Sequence, residues 1–259
     1  MIVFAGVQMW RQENATLPPR ILRYRSVTAS TWFAFCISGS LTVLVYFLPV
    51  WFQAIEGVTA IESGIRVLPL IIALVVSSII AGGTVSALGY YTPFLIACSV
   101  IMSVGAGLMT TFQVDTRKAV WIGYQVIFGF GIGLGQQQAG LAAQTVLPTI
   151  DIPVGVPLKF FGQQLGGAVF VSVGQNILST KLVSGLVSLP NLDPQVIFSL
   201  GATELRDYVG AEDLGEVLRV YNHVLDDVFM VATVLATSSI LGAALTEWKS
   251  VKGRNLKGA

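Results

Sequence analysis

Long stretches without a single charged side chain are the feature that most constrains this sequence. The uncharged runs cover residues 1–10, 26–55, 67–114, 119–150, 160–180 and 228–246. Of the 259 residues, 54% are hydrophobic and only 11% are charged, whereas soluble domains carry about 25% charged residues. About 20 consecutive apolar residues are enough to cross a membrane. The sequence therefore predicts a protein embedded in a lipid bilayer and argues against a soluble globular domain.

The runs predict an all-α membrane protein with six full transmembrane helices. The run from 67 to 114 is too long for one helix, and glycine and proline divide it between Leu88 and Pro93. The predicted spans are about 27–50, 65–86, 93–112, 119–147, 157–180 and 224–247. Transmembrane strands alternate apolar and polar residues, whereas Leu68 to Val76 is apolar at every position, so helices are predicted throughout.

The segments beside the spans complete the predicted domain organisation. Residues 1–10 are apolar but too short to cross a membrane, and we interpret them as the end of a transmembrane helix that begins before Met1. The remaining segments are a basic linker at 11–26, five helices within 27–180, an acidic loop at 181–222, a last helix at 223–248 and a basic tail at 249–259. Lysine and arginine accumulate on the cytoplasmic side. The side with the linker and the tail carries nine of them against six, so we place the C-terminus in the cytoplasm and the acidic loop outside the cell.

The charged residues exclude several classes of function. With 15 Lys and Arg against 14 Asp and Glu, the net charge is +1, which argues against a nucleic-acid partner because such partners need a clustered basic face. The sequence has one histidine, His223, and neither a lysine-containing phosphate loop nor a zinc-protease motif. It therefore predicts a protein that is not an enzyme and that needs no cofactor and no metal.

A few charged residues lie close to the ends of the spans. Glu62 and Arg66 are four residues apart, which suits an ion pair on one helix face. The alternative is an arginine that extends to the membrane interface. Asp226 and Asp227 lie beside His223 where the last span begins. They are either a pair of proton acceptors or carboxylates solvated at a helix end.

Glycines at fixed spacing predict close helix packing. The fourth span carries Gly129, Gly131, Gly133 and Gly135, and the fifth carries Gly162 and Gly166. Small residues four positions apart let two membrane helices approach closely. These six glycines are therefore predicted at helix–helix contacts.

Amide side chains in the same two spans predict a substrate cavity. Gln137 and Gln144 are seven residues apart and Gln164 and Gln175 are eleven apart, so each pair falls within about 20° on one helix face. An unsatisfied amide in hydrocarbon costs several kcal/mol, so these groups face either partner helices or a wet cavity. An uncharged amide lining suits a large, weakly polar organic molecule better than an ion. The candidate cavity residues are Gln137, Gln144, Gln164 and Gln175, with Gln53 and Asn176 as less central members.

A series of motifs along the whole chain resembles a known family. The motifs are Tyr46–Gly57, Ser63–Pro69, Gly89–Pro93, Gly131–Gln144, Leu147–Gly155 and Phe161–Phe170. In this order they resemble the C-terminal half of fungal major facilitator superfamily efflux pumps. The similarity is greatest to the fourteen-span drug:proton antiporters, which include exporters of mycotoxins and other secondary metabolites.

The resemblance implies a fold and an activity. Residues 1–10 would end the eighth helix, and the six spans would be helices nine to fourteen of a multi-pass protein of the plasma membrane. The implied activity is proton-coupled efflux of a small hydrophobic drug, toxin or secondary metabolite by alternating access, with the substrate between two six-helix halves. The implied partners are the bilayer, the hydrophobic substrate, protons and an N-terminal half that this sequence lacks. The alternative is a truncated remnant that transports nothing, or a module that only packs against membrane partners.

Overall fold

A computed structural model describes residues 19–187, 208–250 and 252 of the chain. The helices are α1 (Pro19–Leu22), α2 (Arg25–Glu56), α3 (Ala60–Arg66), α4 (Leu68–Leu88), α5 (Thr92–Met109), α6 (Lys118–Gly135), α7 (Gln138–Val146), a 3-10 turn (Thr149–Asp151), α8 (Ile152–Leu186) and α9 (Ala211–Leu245). The described part of the chain forms no strand, only an isolated bridge between Tyr90 and Ser250. The fold is all-α, as the sequence predicted.

Within the described residues, five segments are long and apolar enough to cross a membrane. They are Arg25–Glu56, Ala60–Leu88, Thr92–Met109, Lys118–Val146 and Glu212–Leu245. The predicted span at 157–180 lies within α8, which has 35 residues but is not among these five. Four amide side chains and two lysines in α8 lower its mean hydropathy.

Glycine and proline set the helix boundaries near the predicted turns. Gly57 ends α2 with a φ of 69° and Gly89 ends α4 with a φ of 86°, a left-handed conformation that favours glycine. Pro69 and Pro93 lie in the first turns of α4 and α5, where the missing N–H costs nothing. The structure therefore divides the 67–114 run where the sequence has glycine and proline.

The helices pack as two groups of three that meet along α9. In one group α6 contacts both α4 and α5; in the other α2 contacts both α8 and α9. Helix α9 also contacts α5, and the short α7 contacts α2, α5 and α8. Aromatic rings fill the space between the groups: the Trp51 ring lies 4.9 Å from that of Phe112, and the Phe52 ring lies 4.9 Å from that of Trp121.

Several boundaries differ from the sequence prediction. The predicted fourth span is interrupted, because α6 ends at Gly135 and α7 begins at Gln138. The last helix begins at Ala211 and continues without a break through the predicted span at 224–247. The predicted helix end at 1–10, residues 11–18 of the linker, residues 188–207 of the acidic loop and most of the basic tail lie outside the described residues.

Candidate functional site

Alternate glycines of α6 lie against two different helices. Gly129 and Gly133 face α4: a Cβ atom at Gly129 would overlap the Leu70 carbonyl oxygen, and one at Gly133 would overlap the Ser77 hydroxyl and the Leu74 carbonyl oxygen. The Gly133 carbonyl, which a regular helix would bond to the amide of residue 137, accepts a hydrogen bond from Ser78 Oγ at 3.2 Å. Helix α4 thus supports α6 just before the interruption.

The other two glycines of this stretch face α5. A Cβ atom at Gly131 would lie 2.5 Å from the backbone nitrogen of Met102, and one at Gly135 would lie 2.6 Å from Cys98 Sγ. Because residues two apart point to different sides of a helix, the alternation lets α6 pack closely between α4 and α5.

Helix α8 packs against α2 through its own glycines. A Cβ atom at Gly162 would lie 2.8 Å from Thr31 Cγ2, and one at Gly166 would overlap the Phe35 carbonyl oxygen. This contact fixes which side of α8 is packed and leaves an opposite side that the other described helices do not cover.

The candidate cavity amides lie on α7 and α8, which contact each other. Gln137 directly precedes α7 and Gln144 lies within it, and both are exposed. On α8, Gln164 and Asn176 are exposed and Gln175 is half-buried. None of these five side chains forms a hydrogen bond to another described residue. The exposed amides therefore lie on surfaces that the other described helices do not cover.

Gln53 occupies a different part of the bundle. Its Nε2 donates a hydrogen bond to Ser63 Oγ at 3.1 Å, so it connects the end of α2 to α3. The structure does not bring Gln53 together with the amides of α7 and α8.

A shallow groove runs along the uncovered side of α8. It has a volume of about 620 Å³ and is lined by Ala168, Val169, Ser172, Val173, Asn176 and Ile177. Phe160 and Phe161, about two turns earlier on the helix, are more than half exposed. This side of α8 thus combines apolar surface with the amides of Gln164 and Asn176.

Arg66 is held by two acidic residues at one end of the bundle. Its Nη2 lies 2.6 Å from Glu62 Oε1, and its Nη1 also binds Glu56. The guanidinium carbon lies 5.7 Å and 5.9 Å from the ring centroids of Phe52 and Trp121. The sequence analysis missed Glu56, because the turn at Gly57 brings this residue back beside α3. The arginine side chain is 13% exposed, so it packs on aromatic rings within the chain.

Lys159 is one of the nine basic residues assigned from the sequence to the side of the linker and the tail, and it is buried. Its side chain is 3% exposed. Nζ donates a hydrogen bond to Gln163 Oε1 at 2.8 Å and lies 4.4 Å from the Phe160 ring centroid. An amide oxygen and an aromatic face are both favourable partners for an ammonium group.

A second polar cluster, formed by Trp51, Asn222 and Asp226, lies between α2, α5 and α9. Asn222 Oδ1 accepts a hydrogen bond from Trp51 Nε1 at 2.8 Å. Asn222 Nδ2 donates to the Phe112 carbonyl oxygen at 2.8 Å and to Asp226 Oδ2 at 2.9 Å. The other carboxylate oxygen, Asp226 Oδ1, is buried and has no partner among the described residues. The sequence analysis noted Asp226 but not Asn222 or Trp51.

Gln125 of α6 is a further buried amide that the sequence analysis missed. Its side chain is fully buried, and within the described chain neither Nε2 nor Oε1 has a hydrogen-bond partner. The indole nitrogen of Trp121, one turn earlier, is also buried and unpartnered there. The described residues contain no group of three or more His, Cys, Asp and Glu side chains that could hold a metal ion.

No family model matches the chain, but it is similar to curated fungal proteins over nearly all of its length. It is 45% identical over 257 residues to the MFS-type transporter astH of Aspergillus oryzae and 48% identical over 257 residues to the MFS-type efflux pump MFS1 of Arthroderma benhamiae. It is also 45% identical over 254 residues to the rubrofusarin-specific efflux pump aurT of Gibberella zeae.

These matches cover 98–99% of the chain but only 46–48% of each relative. The chain therefore spans about half the length of the curated relatives it matches. Together with the membrane-length apolar helices, the similarity identifies a multi-pass integral membrane protein. The curated relatives that match nearly all of this chain are fungal transporters and efflux pumps of the MFS type.

Proposed function

We propose that this chain forms part of a transporter that exports a small hydrophobic organic compound in exchange for protons. The observation that carries the proposal is the uncovered side of α7 and α8, where exposed amides accompany apolar surface. Each amide offers two donors and an acceptor without a net charge. Such a surface can satisfy the few polar groups of an otherwise apolar compound. The efflux activity named for several relatives supports the same direction of transport.

We further propose that α8 is the sixth transmembrane helix. Its 35 residues extend over about 50 Å at 1.5 Å per residue, which exceeds the roughly 30 Å hydrocarbon thickness of a bilayer. Its amides would face away from lipid. With six spans, the basic linker and the basic tail lie on one side, which we assign to the cytoplasmic side of the plasma membrane.

Alternating access requires a second set of helices opposite this one. In our proposal those helices would cover the side of α7 and α8 that carries Gln144 and Gln164, and the substrate would bind between the two halves. The greater length of the relatives supports this arrangement, because more than half of each one lies outside the match.

An export assay tests the proposal. The longest reading frame that contains the chain is expressed in cells without their own efflux pumps, and the loss of a preloaded hydrophobic dye is followed over time. The variants Gln144→Leu and Gln164→Leu remove amides from the proposed cavity. Gln113→Leu is the matched control, because Gln113 is an exposed glutamine between α5 and α6. Surface expression is measured for every variant.

The proposal predicts faster dye loss in expressing cells, a lower rate in the two cavity variants and an unchanged rate in the control. A protonophore that dissipates the proton gradient should stop the export. Equal dye retention in expressing and empty cells would contradict export of that dye and favour a remnant or a partner-dependent module. Export that continues in the presence of the protonophore would contradict proton coupling.

A further inference from the structure

We propose that Asp226 is a proton-binding site of this helix bundle and that Asn222 relays its protonation state to Trp51 of α2. As an account of proton coupling, this inference rests on the proposed function. It starts from one unsatisfied atom: Oδ2 of Asp226 accepts a hydrogen bond from Asn222, whereas Oδ1 is buried and has no partner among the described residues. An ionised carboxylate oxygen without a donor is unfavourable in an apolar setting, and the uptake of a proton removes that charge.

The neighbouring carboxylate has a different environment. Asp227 Oδ2 lies 2.8 Å from Lys181 Nζ on α8, so a cation compensates its charge. Asp227 also lines an open groove of about 460 Å³ together with Lys181, Glu216, Arg219 and His223. Two adjacent carboxylates thus have separate roles: Asp227 faces the groove in an ion pair, and Asp226 faces the interior.

Among the described residues, no lysine, arginine or histidine forms an ion pair with Asp226. Helix α9 contacts α2, α5 and α8. At this level α2 presents the indole of Trp51 and the end of α5 is followed by the Phe112 carbonyl, and neither group titrates. Lys181 of α8 is already paired with Asp227. No described cation compensates the charge of Asp226. A proton can remove that charge by binding one carboxylate oxygen, and it returns to water on release.

Asn222 links the protonation state of Asp226 to the packing of the helices. Its Nδ2 serves both Asp226 and the Phe112 carbonyl, and its Oδ1 holds the Trp51 indole. A hydrogen bond to an ionised carboxylate is about twice as strong as one between neutral groups. Protonation of Asp226 therefore loosens the position of Asn222 and, with it, the Trp51 ring, which packs 4.9 Å from the Phe112 ring. Because α2 also contacts α8, the proton can bias the helix that carries the candidate cavity amides.

Infrared difference spectroscopy of the purified full-length protein tests the proton site without requiring transport. On acidification every carboxylate that takes up a proton adds to the protonated-carboxyl C=O absorption. One component of this band should be present in the unmodified protein and in Asp227→Asn and missing in Asp226→Asn. An equal band in Asp226→Asn, or no band assignable to Asp226, would overturn the proposal. If Asp226→Asn does not fold, the fluorescence of Trp51 tests the proposal instead. It is obtained by subtracting the fluorescence of the Trp51→Phe variant from that of the unmodified protein. This signal should change with pH together with the band, and a pH-independent signal would overturn the relay.

Transport in reconstituted vesicles tests the link to export. Asp226→Asn should lose the acceleration of transport by an imposed proton gradient, whereas Asp227→Asn should retain it. If Asp226→Asn responds to the gradient like the unmodified protein, Asp226 is not the coupling site. If the unmodified protein exports nothing, the proposed function fails, and the infrared band still decides whether Asp226 binds a proton.

Discussion

Replacing Gly131 with alanine should destabilise the bundle, because α6 has no room for a methyl group where it contacts α5. A Cβ atom at this position would lie 2.5 Å from the backbone nitrogen of Met102 and 2.9 Å from its Cα. These are backbone atoms, so no side chain can rotate away. To extend 2.5 Å to the 3.4 Å of an ordinary contact, the two helices would have to separate, and the contacts beside the glycine would be lost.

The same helix provides a control for the intrinsic effect of alanine. At Gly123 no atom lies within 4 Å of the added Cβ, so Gly123→Ala should only gain the helix preference of alanine, about 1 kcal/mol. Gly131→Ala has the same gain but also the cost of overpacking, typically about 1–3 kcal/mol. The difference between the two variants therefore isolates the steric cost. In a protein of this size each kcal/mol shifts the unfolding midpoint by roughly 2–4 °C.

The assay is thermal unfolding in detergent, followed by the amount of monodisperse protein that remains after heating. We expect a lower midpoint for Gly131→Ala than for Gly123→Ala. Equal midpoints would refute the reasoning, because they would show that α5 and α6 can separate at no measurable cost.

Two further predictions concern buried polar groups and use the same assay. Gln125→Met should raise the free energy of unfolding by about 1–3 kcal/mol, because it replaces an unpartnered buried amide with an apolar group of similar size; a lower midpoint would contradict this. Glu56→Gln should destabilise the bundle more than Glu62→Gln. The Glu56 side chain is 19% exposed, whereas that of Glu62 is 50% exposed. Exposed ion pairs contribute only about 0.2–1 kcal/mol. Equal losses would show that burial does not strengthen the pair with Arg66.

The helices were predictable because a bilayer requires long uncharged segments. The interruption between α6 and α7 could not be predicted from the sequence. Gln136 and Gln137 keep right-handed helical dihedral angles, and the sequence there is typical of a continuous helix. The start of α9 at Ala211 was also not predicted. The sequence prediction placed the charged segment from Glu212 to Arg219 in the acidic loop and began the last helix at residue 223, whereas this segment is helical and continues directly into the last span.

The glycine pattern indicates close packing but not the partner of each residue. The sequence pairs Gly129 with Gly133 and Gly131 with Gly135, and the structure shows that the first pair faces α4 and the second faces α5. This assignment depends on where the loops place the neighbouring helices. Spacing within one helix carries no information about that placement.

The buried hydrogen bonds were the least predictable part of the site. Trp51 and Asn222 are separated by 171 residues, and neither belongs to a motif with a recognisable spacing. Asp226 stood out only as a carboxylate near a span, and only its surroundings distinguish it from Asp227. The amides of α7 and α8, in contrast, were identifiable because polar groups are rare in such apolar segments.

Cysteine labelling tests most directly the central claim that the uncovered side of α7 and α8 lines the substrate path. The two cysteines of this chain, Cys36 and Cys98, are buried. They and any cysteine elsewhere in the complete transporter are replaced by alanine. Single cysteines are then introduced at Gln144 and Gln164, and at Ile79 as a position expected to face lipid. In the complete transporter, we predict that a charged, water-soluble thiol reagent modifies the first two positions but not Ile79, and that an exported compound slows the modification. Labelling that is absent at Gln144 and Gln164, or that the compound does not slow, would contradict the claim.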